Sequence, residues 1–300
     1  MMATVRRSKA KAGKKKRDKE FDDSEDSGIS LPTEYEEPSA DINDYSFLLH
    51  GEKKIGKTTT ALEGGRVLVL QFDPKQKAYK RLEIKIKSWK DWQKTIKLLE
   101  QAFRKGNKPY DRVVIDGADA WYKMCQEYVC EKLVINHPSE EAWGKGWDAL
   151  RQAFTKAVDR LLDLPCGRWF LCHSAWKEIE THDGDEVIKL VPVLTKGAEE
   201  ILNGKVDAWC AYDYVEGKRV LFVEGSERIG AGHRMDSEGY AHFRTPGGRR
   251  VAHIDMGDSP KQGYINLLAA FNNKQTYTVI KTEKGTGKRK KKRKSDDVKR

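Results

Sequence analysis

Residues Gly51 to Thr58 read Gly-Glu-Lys-Lys-Ile-Gly-Lys-Thr, a complete G-x-x-x-x-G-K-[ST] pattern, and this octapeptide carries the most specific chemistry in the chain. Its two glycines let the backbone wrap a chain of phosphates. The N–H groups of Gly51, Glu52, Lys53, Lys54, Ile55, Gly56, Lys57, Thr58 and Thr59 would then aim inward at the start of the next helix. Lys57 would reach the β- and γ-phosphates, and the Thr58 hydroxyl would hold Mg2+. The expected cofactors are ATP and Mg2+.

Hydrolysis needs more than binding. Asp116 closes the apolar run Val113-Val114-Ile115, the form of a second magnesium-organising acid; a strand-terminating Asp that caps a turn has the same form. The next residue is Gly117 rather than a glutamate that could activate water, so the general base must lie elsewhere. Asp73, three residues beyond Leu70, is the candidate, although it is one methylene shorter than Glu and precedes Pro74; a plain strand cap is the other reading of the same residue. Asp119 is the reserve. His173 follows Trp169-Phe170-Leu171-Cys172 and would hydrogen-bond the γ-phosphate, reporting ATP against ADP; a structural histidine is the plainer reading. Arg228 and Arg234 lie in the Gly-rich stretch Ser226 to Arg234. An arginine there could serve a neighbouring subunit's γ-phosphate, or simply be solvated.

The elements that must position these residues can be read from apolar spacing. Tyr45 to Leu49 forms a short apolar run before the loop, and Thr58 to Glu63 suits the helix after it. Val67 to Leu70, Val113 to Ile115 and Trp169 to Cys172 read as buried parallel strands, the last ending at His173. Between them, Trp92, Ile96, Leu99 and Phe103 share one helical face, Trp121, Cys125, Tyr128 and Val129 another, and Trp147, Leu150, Phe154, Val158 and Leu161 a third. Ile179 to Val191 alternates around His182-Asp183-Gly184-Asp185, a hairpin with an Asp-Gly turn, whose acids suit turn chemistry better than a metal. Ala208 to Tyr214 and Arg219 to Val223 extend the sheet. This is an α/β pattern, a mainly parallel sheet flanked by helices with a β-hairpin insertion, and its ligands belong at the carboxyl ends of the strands.

The net charge of +11 is not spread over this pattern. Residues 1–20 hold nine Lys/Arg against two acids, residues 21–41 hold eight acids and no Lys or Arg, and residues 281–300 hold eleven Lys/Arg against three acids. Such blocks bury almost nothing, so a disordered tail is expected over 1–42 and another over 274–300, with one domain over 43–273. The tails read as solubility segments, as nuclear-localisation-like runs, or as electrostatic anchors for nucleic acid through Lys14 to Arg17 and Lys288 to Lys294. No apolar stretch reaches the ~18 residues that span a bilayer, and no signal-peptide core follows the basic start. The expectation is therefore a soluble intracellular protein with no membrane partner. Five cysteines without a C-x-x-C pair read as buried thiols.

From Tyr45 to Asn272 the chain resembles the phage-encoded RecA-like P-loop ATP-binding proteins, the AAA family ATPases related to Sak-type single-strand annealing ATPases. The resemblance rests on the P-loop; on Val113 to Asp116 with Ala120-Trp121-Tyr122; and on Gly144-Lys145-Gly146-Trp147. It rests further on His173-Ser174 with Lys177-Glu178-Ile179, on Pro192, Leu194 and Val206-Asp207, and on Ala231-Gly232-His233-Arg234. It implies a RecA-like core that binds ATP and Mg2+ in phage DNA recombination, annealing or replication, as a homo-oligomer in a bacterial host's cytoplasm. It also makes Asp73 the counterpart of the catalytic carboxylate at the end of the strand after the P-loop helix. The segment from Trp176 to Lys196 then occupies the place of a mobile DNA-contacting loop. Trp176 would stack on a base of single-stranded DNA while Lys177, Lys189 and Lys196 meet phosphates, against the plainer reading of a solvated hairpin. Two alternatives stand beside a DNA-stimulated ATPase: a non-catalytic ATP-binding annealing module, and a switch whose partner is a protein.

Overall fold

The computed structural model of the chain describes residues 31–72, 80–104, 107–180, 184, 186–237 and 240–275. Both charged tails outside these bounds and most of the hairpin turn at 181–185 lie outside the described residues. The chain divides into two units, Met1–Glu37 and Pro38–Arg300. Residues 31–37 of the first carry no helix or strand.

In the second unit the elements follow in the order β1 (Ser46–Gly51), α1 (Lys57–Ala61), β2 (Val67–Gln71), β3 (Leu82–Lys85), α2 (Trp89–Arg104), β4 (Arg112–Asp116), α3 (Ala118–Leu133) and α4 (Lys145–Leu162). There follow β5 (Gly167–Glu180), β6 (Glu186–Pro192), α5 (Lys196–Lys205), β7 (Ala208–Val215), β8 (Lys218–Phe222), β9 (Gly232–His233), β10 (Asp236–Ser237), β11 (Tyr240–Ala241), β12 (His253–Asp255) and α6 (Pro260–Phe271). The main sheet runs β3-β2-β4-β5-β1-β7-β8-β12. From β3 to β7 all neighbours are parallel, whereas β8 and β12 close the far side antiparallel. This is the expected α/β class, a mainly parallel sheet flanked by helices with a β-hairpin insertion, and one strand, β5, lies between the loop strand β1 and the Asp116 strand β4.

The unbroken apolar runs in the sequence arise because both sheet faces are covered. Side chains of a strand alternate between faces, so each run divides between two cores. Leu48, Val113, Ile115, Phe170 and Cys172 join the core under α2, α3, α4 and α5. Phe47, Leu49, Val114, Trp169 and Leu171 join the core under α1 and α6. In the first core Trp121 is central, with ring centroids 4.9 Å from Trp92, 4.8 Å from Phe154 and 6.1 Å from Phe170. Each such pair adds about 0.5–1.5 kcal/mol beyond burial, which fixes α2, α3 and α4 on the sheet.

Caps set several helix starts. The Ser88 hydroxyl caps α2, accepting from the Asp91 N–H at 3.2 Å, while the Asp91 carboxylate accepts from the N–H of Lys87, the residue before the cap, at 3.3 Å. Thr195 caps α5 and Ser259 caps α6, with Pro260 at its first position.

Two expectations fail. β5 does not end at His173 but runs on to Glu180 as the first strand of the hairpin, pairing with β6 from Ser174↔Pro192 to Glu180↔Glu186. Trp147 is not core: it is 44% exposed, edge-on to His137 at 5.3 Å. The buried position in that first turn of α4 belongs to Gly146, where a β-carbon would meet the Pro138 carbonyl at 2.2 Å. All five cysteines are buried and free, as expected. Among the described residues no helix is long and apolar enough to cross a membrane.

Candidate functional site

Register brings the strand ends into one row. Gln71 lies opposite Asp116, Asp116 opposite Leu171, and Gly51 opposite both His173 on β5 and Tyr212 on β7. The loop leaves this edge at Gly51, where the neighbouring backbone presses so close that a β-carbon would stand 2.4 Å from the Tyr212 carbonyl oxygen. Glu52, Lys53 and Lys54 are exposed, and Lys54 has a left-handed φ of 67°. Ile55 turns inward and is buried, anchoring the loop to the core that contains α6. Gly56, at φ 117°, takes a conformation that side chains disfavour and leads into α1. Its carbonyl accepts the Thr59 hydroxyl at 2.9 Å.

Lys57 is buried, and its ammonium donates to the carbonyls of Gly51 and Glu52, both at 2.7 Å. Burial pushes its pKa down to about 8, against the opposing pull of Cys172 and of the carboxylates of Asp116, Asp119 and Glu52. The cation is thus held inside the loop by two carbonyl dipoles, partly stripped of water. Beside it the Thr58 hydroxyl stands 3.3 Å and 3.5 Å from the two Asp116 oxygens. A hydroxyl and a carboxylate, 58 positions apart in sequence, face each other across the loop mouth. Both are hard oxygen donors of the kind Mg2+ selects, and an octahedral ion that keeps several waters needs no more than such a pair. The residues fit the ion. Asp119 lies in the first turn of α3, its charge felt at Lys57.

The other expected residues divide. His173 lies in the row, opposite Gly51. Asp73 lies outside the described residues. Arg234 is exposed at the opposite edge: its N–H donates to the Asp207 carbonyl at 2.9 Å and its guanidinium to that of Gly204. Asp207 itself clasps Ser46 at the start of β1, five residues from Gly51, or about 16 Å along a strand. Arg234 therefore does not reach its own chain's loop. Arg228 rides on β6, its carbonyl accepting from the Leu190 N–H at 2.8 Å.

On the hairpin, Lys177 and Lys189 are directly opposite each other, Lys177 exposed and Lys189 half-buried. Trp176 is 51% exposed, but it pairs with Leu190 and points to the other face, so the aromatic and the two lysines do not share one surface. Lys196 stands at the first turn of α5 rather than on the hairpin.

Three functional positions have no counterpart in the sequence reading. Tyr212 supplies the backbone under Gly51, and its ring packs near Gly56. Arg112 is fully buried, donating to the carbonyls of Ala61 at 3.0 Å and Glu63 at 2.9 Å just where α1 ends, to Asn43 at 2.8 Å and to the Tyr264 hydroxyl at 2.9 Å. Its guanidinium lies 4.0 Å over the Trp169 ring. It stakes the far end of the loop helix to the core, where a cation suits the helix C-terminus. His50, immediately before Gly51, is completely buried, with both ring nitrogens bonded. A polar residue inside a buried apolar strand was the signal for His50; an arginine at a strand start reads as solvated and gives none.

A model of the AAA domain family matches residues 43–235 of the chain. Among curated proteins, the SPbeta prophage-derived uncharacterized protein YorG of Bacillus subtilis (strain 168) is 25% identical over 129 residues, 42% of this chain. The match spans about two fifths of that relative's length. Among solved structures, a KaiC-like protein of Pyrococcus horikoshii OT3 is 11% identical, covering 73% of this chain and 88% of its own, with a TM-score of 0.38. The RadB recombinase is 12% identical, covering 73% of this chain and 90% of its own, also with a TM-score of 0.38.

Proposed function

Because this chain belongs to the AAA domain family, we propose that its 43–273 domain binds ATP with Mg2+ at the Gly51–Thr59 loop, hydrolyses it, and couples turnover to single-stranded DNA as a homo-oligomer. The observation that carries the reading is the arrangement of Lys57, held by the Gly51 and Glu52 carbonyls at 2.7 Å, with Thr58 and Asp116 facing each other at 3.3–3.5 Å. A structural threonine and a plain strand-capping aspartate have no need to meet at the mouth of a phosphate loop.

In this reading the loop amides and Lys57 hold the phosphates, and Thr58 and Asp116 hold Mg2+. When bound, the ion screens charge on the phosphate oxygens. Lys57 exchanges its two carbonyl partners for phosphate oxygens, and its partial desolvation strengthens that attraction. Asp73 is the proposed base that takes a proton from the attacking water, with Asp119 in reserve. His173, opposite Gly51, is proposed to sense the γ-phosphate. Arg234 would act only on a loop in another copy, which is where its placement at the far edge points. Trp176 on one face of the hairpin, and Lys177 and Lys189 on the other, support contact with single-stranded DNA by stacking and by charge respectively. The prophage origin in the relative's name agrees with a phage-type setting in recombination, annealing or replication.

The test is steady-state ATP hydrolysis with and without single-stranded DNA, for the wild type and Lys57→Ala. The wild type is expected to hydrolyse ATP faster with DNA, and the variant to lose about a hundredfold or more of the rate. A Lys57→Ala protein turning over at the wild-type rate would sink the site assignment.

A further inference from the structure

His50 sits between two parts of the molecule that the proposed ATPase chemistry does not itself join. It is the last residue of β1 before Gly51, at register with Cys172 on one side and Ala211 on the other, and has no solvent-exposed surface. Nδ1 lies 2.7 Å from the Ser174 hydroxyl and Nε2 lies 2.7 Å from the Gly230 carbonyl oxygen. A carbonyl can only accept, so Nε2 carries the proton; Nδ1 of the neutral ring then accepts from the Ser174 hydroxyl. Burial, which lowers the His50 pKa to about 4, agrees with that neutral tautomer.

Each partner leads somewhere. Ser174 is the first hairpin residue on β5 to pair with β6 and directly follows His173. Gly230 belongs to the 226–230 loop that carries Arg228, and this loop is laced to β6: the Gly230 N–H donates to the Leu190 carbonyl at 2.9 Å, and the Leu190 N–H to the Arg228 carbonyl at 2.8 Å. A β-carbon at 230 would press tightly on the Leu190 carbonyl at 3.0 Å and the Trp209 ring at 3.1 Å. Hairpin and loop therefore form one hydrogen-bonded unit, and His50 grips it at two points. On its other side His50 is bonded covalently to Gly51, whose carbonyl holds Lys57.

We propose that His50 is a positioning residue that ties the floor of the phosphate loop to the β5–β6 hairpin and the Arg228 loop, so that nucleotide at Lys57 changes how tightly that unit is held. This deepens the ATPase reading and rests on it. Polyphosphate draws Lys57 away from the Gly51 carbonyl, the peptide next to His50 loses a charged donor, and the hydrogen bonds from His50 carry the adjustment to Ser174 and Gly230.

Hydrogen exchange of the Leu190 and Gly230 amides reads this directly, since both are bonded within the unit. The full-length protein is compared without nucleotide and with a non-hydrolysable ATP analogue plus Mg2+ at a concentration that saturates each variant. In the wild type, nucleotide should change exchange at these amides by about fivefold or more. His50→Leu should reduce that response to about a fifth or less, His50→Gln, which keeps an N–H near Nε2, should restore about half of it, and Ser174→Ala should halve it by removing a single hydroxyl. If His50→Leu fails to fold, the Ser174→Ala and His50→Gln responses decide. A response of wild-type size in Ser174→Ala and His50→Leu would overturn the proposal. So would a wild type that binds nucleotide without any change at these amides. A wild type that binds no nucleotide would overturn the phosphate-loop reading together with this one.

Discussion

Gly51 is the position where a single methyl group should damage the site most directly. A β-carbon there would stand 2.4 Å from the Tyr212 carbonyl oxygen and 2.9 Å from the Tyr212 β-carbon, both fixed on the neighbouring strand. Neither is the movable end of a side chain, so β1 and β7 must part by about 0.8 Å to restore ordinary contact in a close-packed interior. Overpacking of this kind costs about 1–3 kcal/mol. For an ordered domain of this size that lowers the melting temperature by roughly 2–12 °C. The displaced peptide is also the one whose carbonyl holds Lys57. Misplacement on this scale near the phosphates should weaken nucleotide binding by about tenfold or more. Thermal melts and titration with a fluorescent ATP analogue measure both effects. Gly204→Ala is the control, since within α5 its β-carbon would meet nothing within 4 Å, and it should hold or slightly raise stability. A Gly51→Ala protein that melts with the wild type and binds nucleotide equally well would refute the close approach and its role.

Two further predictions concern pH. Lys57 is held at a pKa of about 8, lowered by burial, and its charged form is the one that meets phosphate. Nucleotide affinity measured by calorimetry should be flat below about pH 7 and fall by up to about tenfold per unit above pH 8. His50 is neutral when folded, with its pKa lowered to about 4 from 6.5, so the unfolded chain binds the extra proton between those values. Its contribution to stability is fully present above pH 6.5 and is lost as pH falls toward 4, by up to about 3 kcal/mol. Denaturant melts of the wild type and His50→Gln across pH 4–7 should diverge in slope over that window, and parallel curves would count against a buried neutral ring.

The parts of this molecule that were legible in its sequence are those whose signal is local. The loop, the strands Val67–Gln71 and Arg112–Asp116, and the helices bearing Trp92, Trp121 and Phe154 follow from spacing, because two covered sheet faces demand unbroken apolar runs and one covered helix face demands a 3.6-residue period. Thr58 and Asp116 could be paired because a known pattern links them. β3, half exposed at the sheet edge, α5 and α6 carried weaker patterns and were not anticipated. Arg112 gave no signal, and His50 only that of a polar residue in an apolar strand, for another reason: each is a polar group whose burial is permitted by partners distant in sequence, Tyr264 and Asn43 for one, Ser174 and Gly230 for the other. No window of sequence contains both ends of those bonds.

The length of β5 changes what the site can be connected to. A strand that ended at His173 would place that residue at a free tip, able to adjust to a phosphate without consequence elsewhere. Instead β5 is one strand of 14 residues, pairing with β1 and β4 over its first half and with β6 over its second, and His173 sits near the changeover between the two. A backbone shift at such a point cannot be absorbed by a loop, since both flanking stretches are hydrogen-bonded into ladders. It must pass into the hairpin or into the register of the sheet. The sheet is buried on both faces and resists, while the outer hairpin, with Ile188 60% exposed and Ile179 37% exposed, has few contacts to oppose motion. Mechanical asymmetry alone therefore directs any adjustment at the phosphate edge outward along β5, to the strands that present Trp176, Lys177 and Lys189.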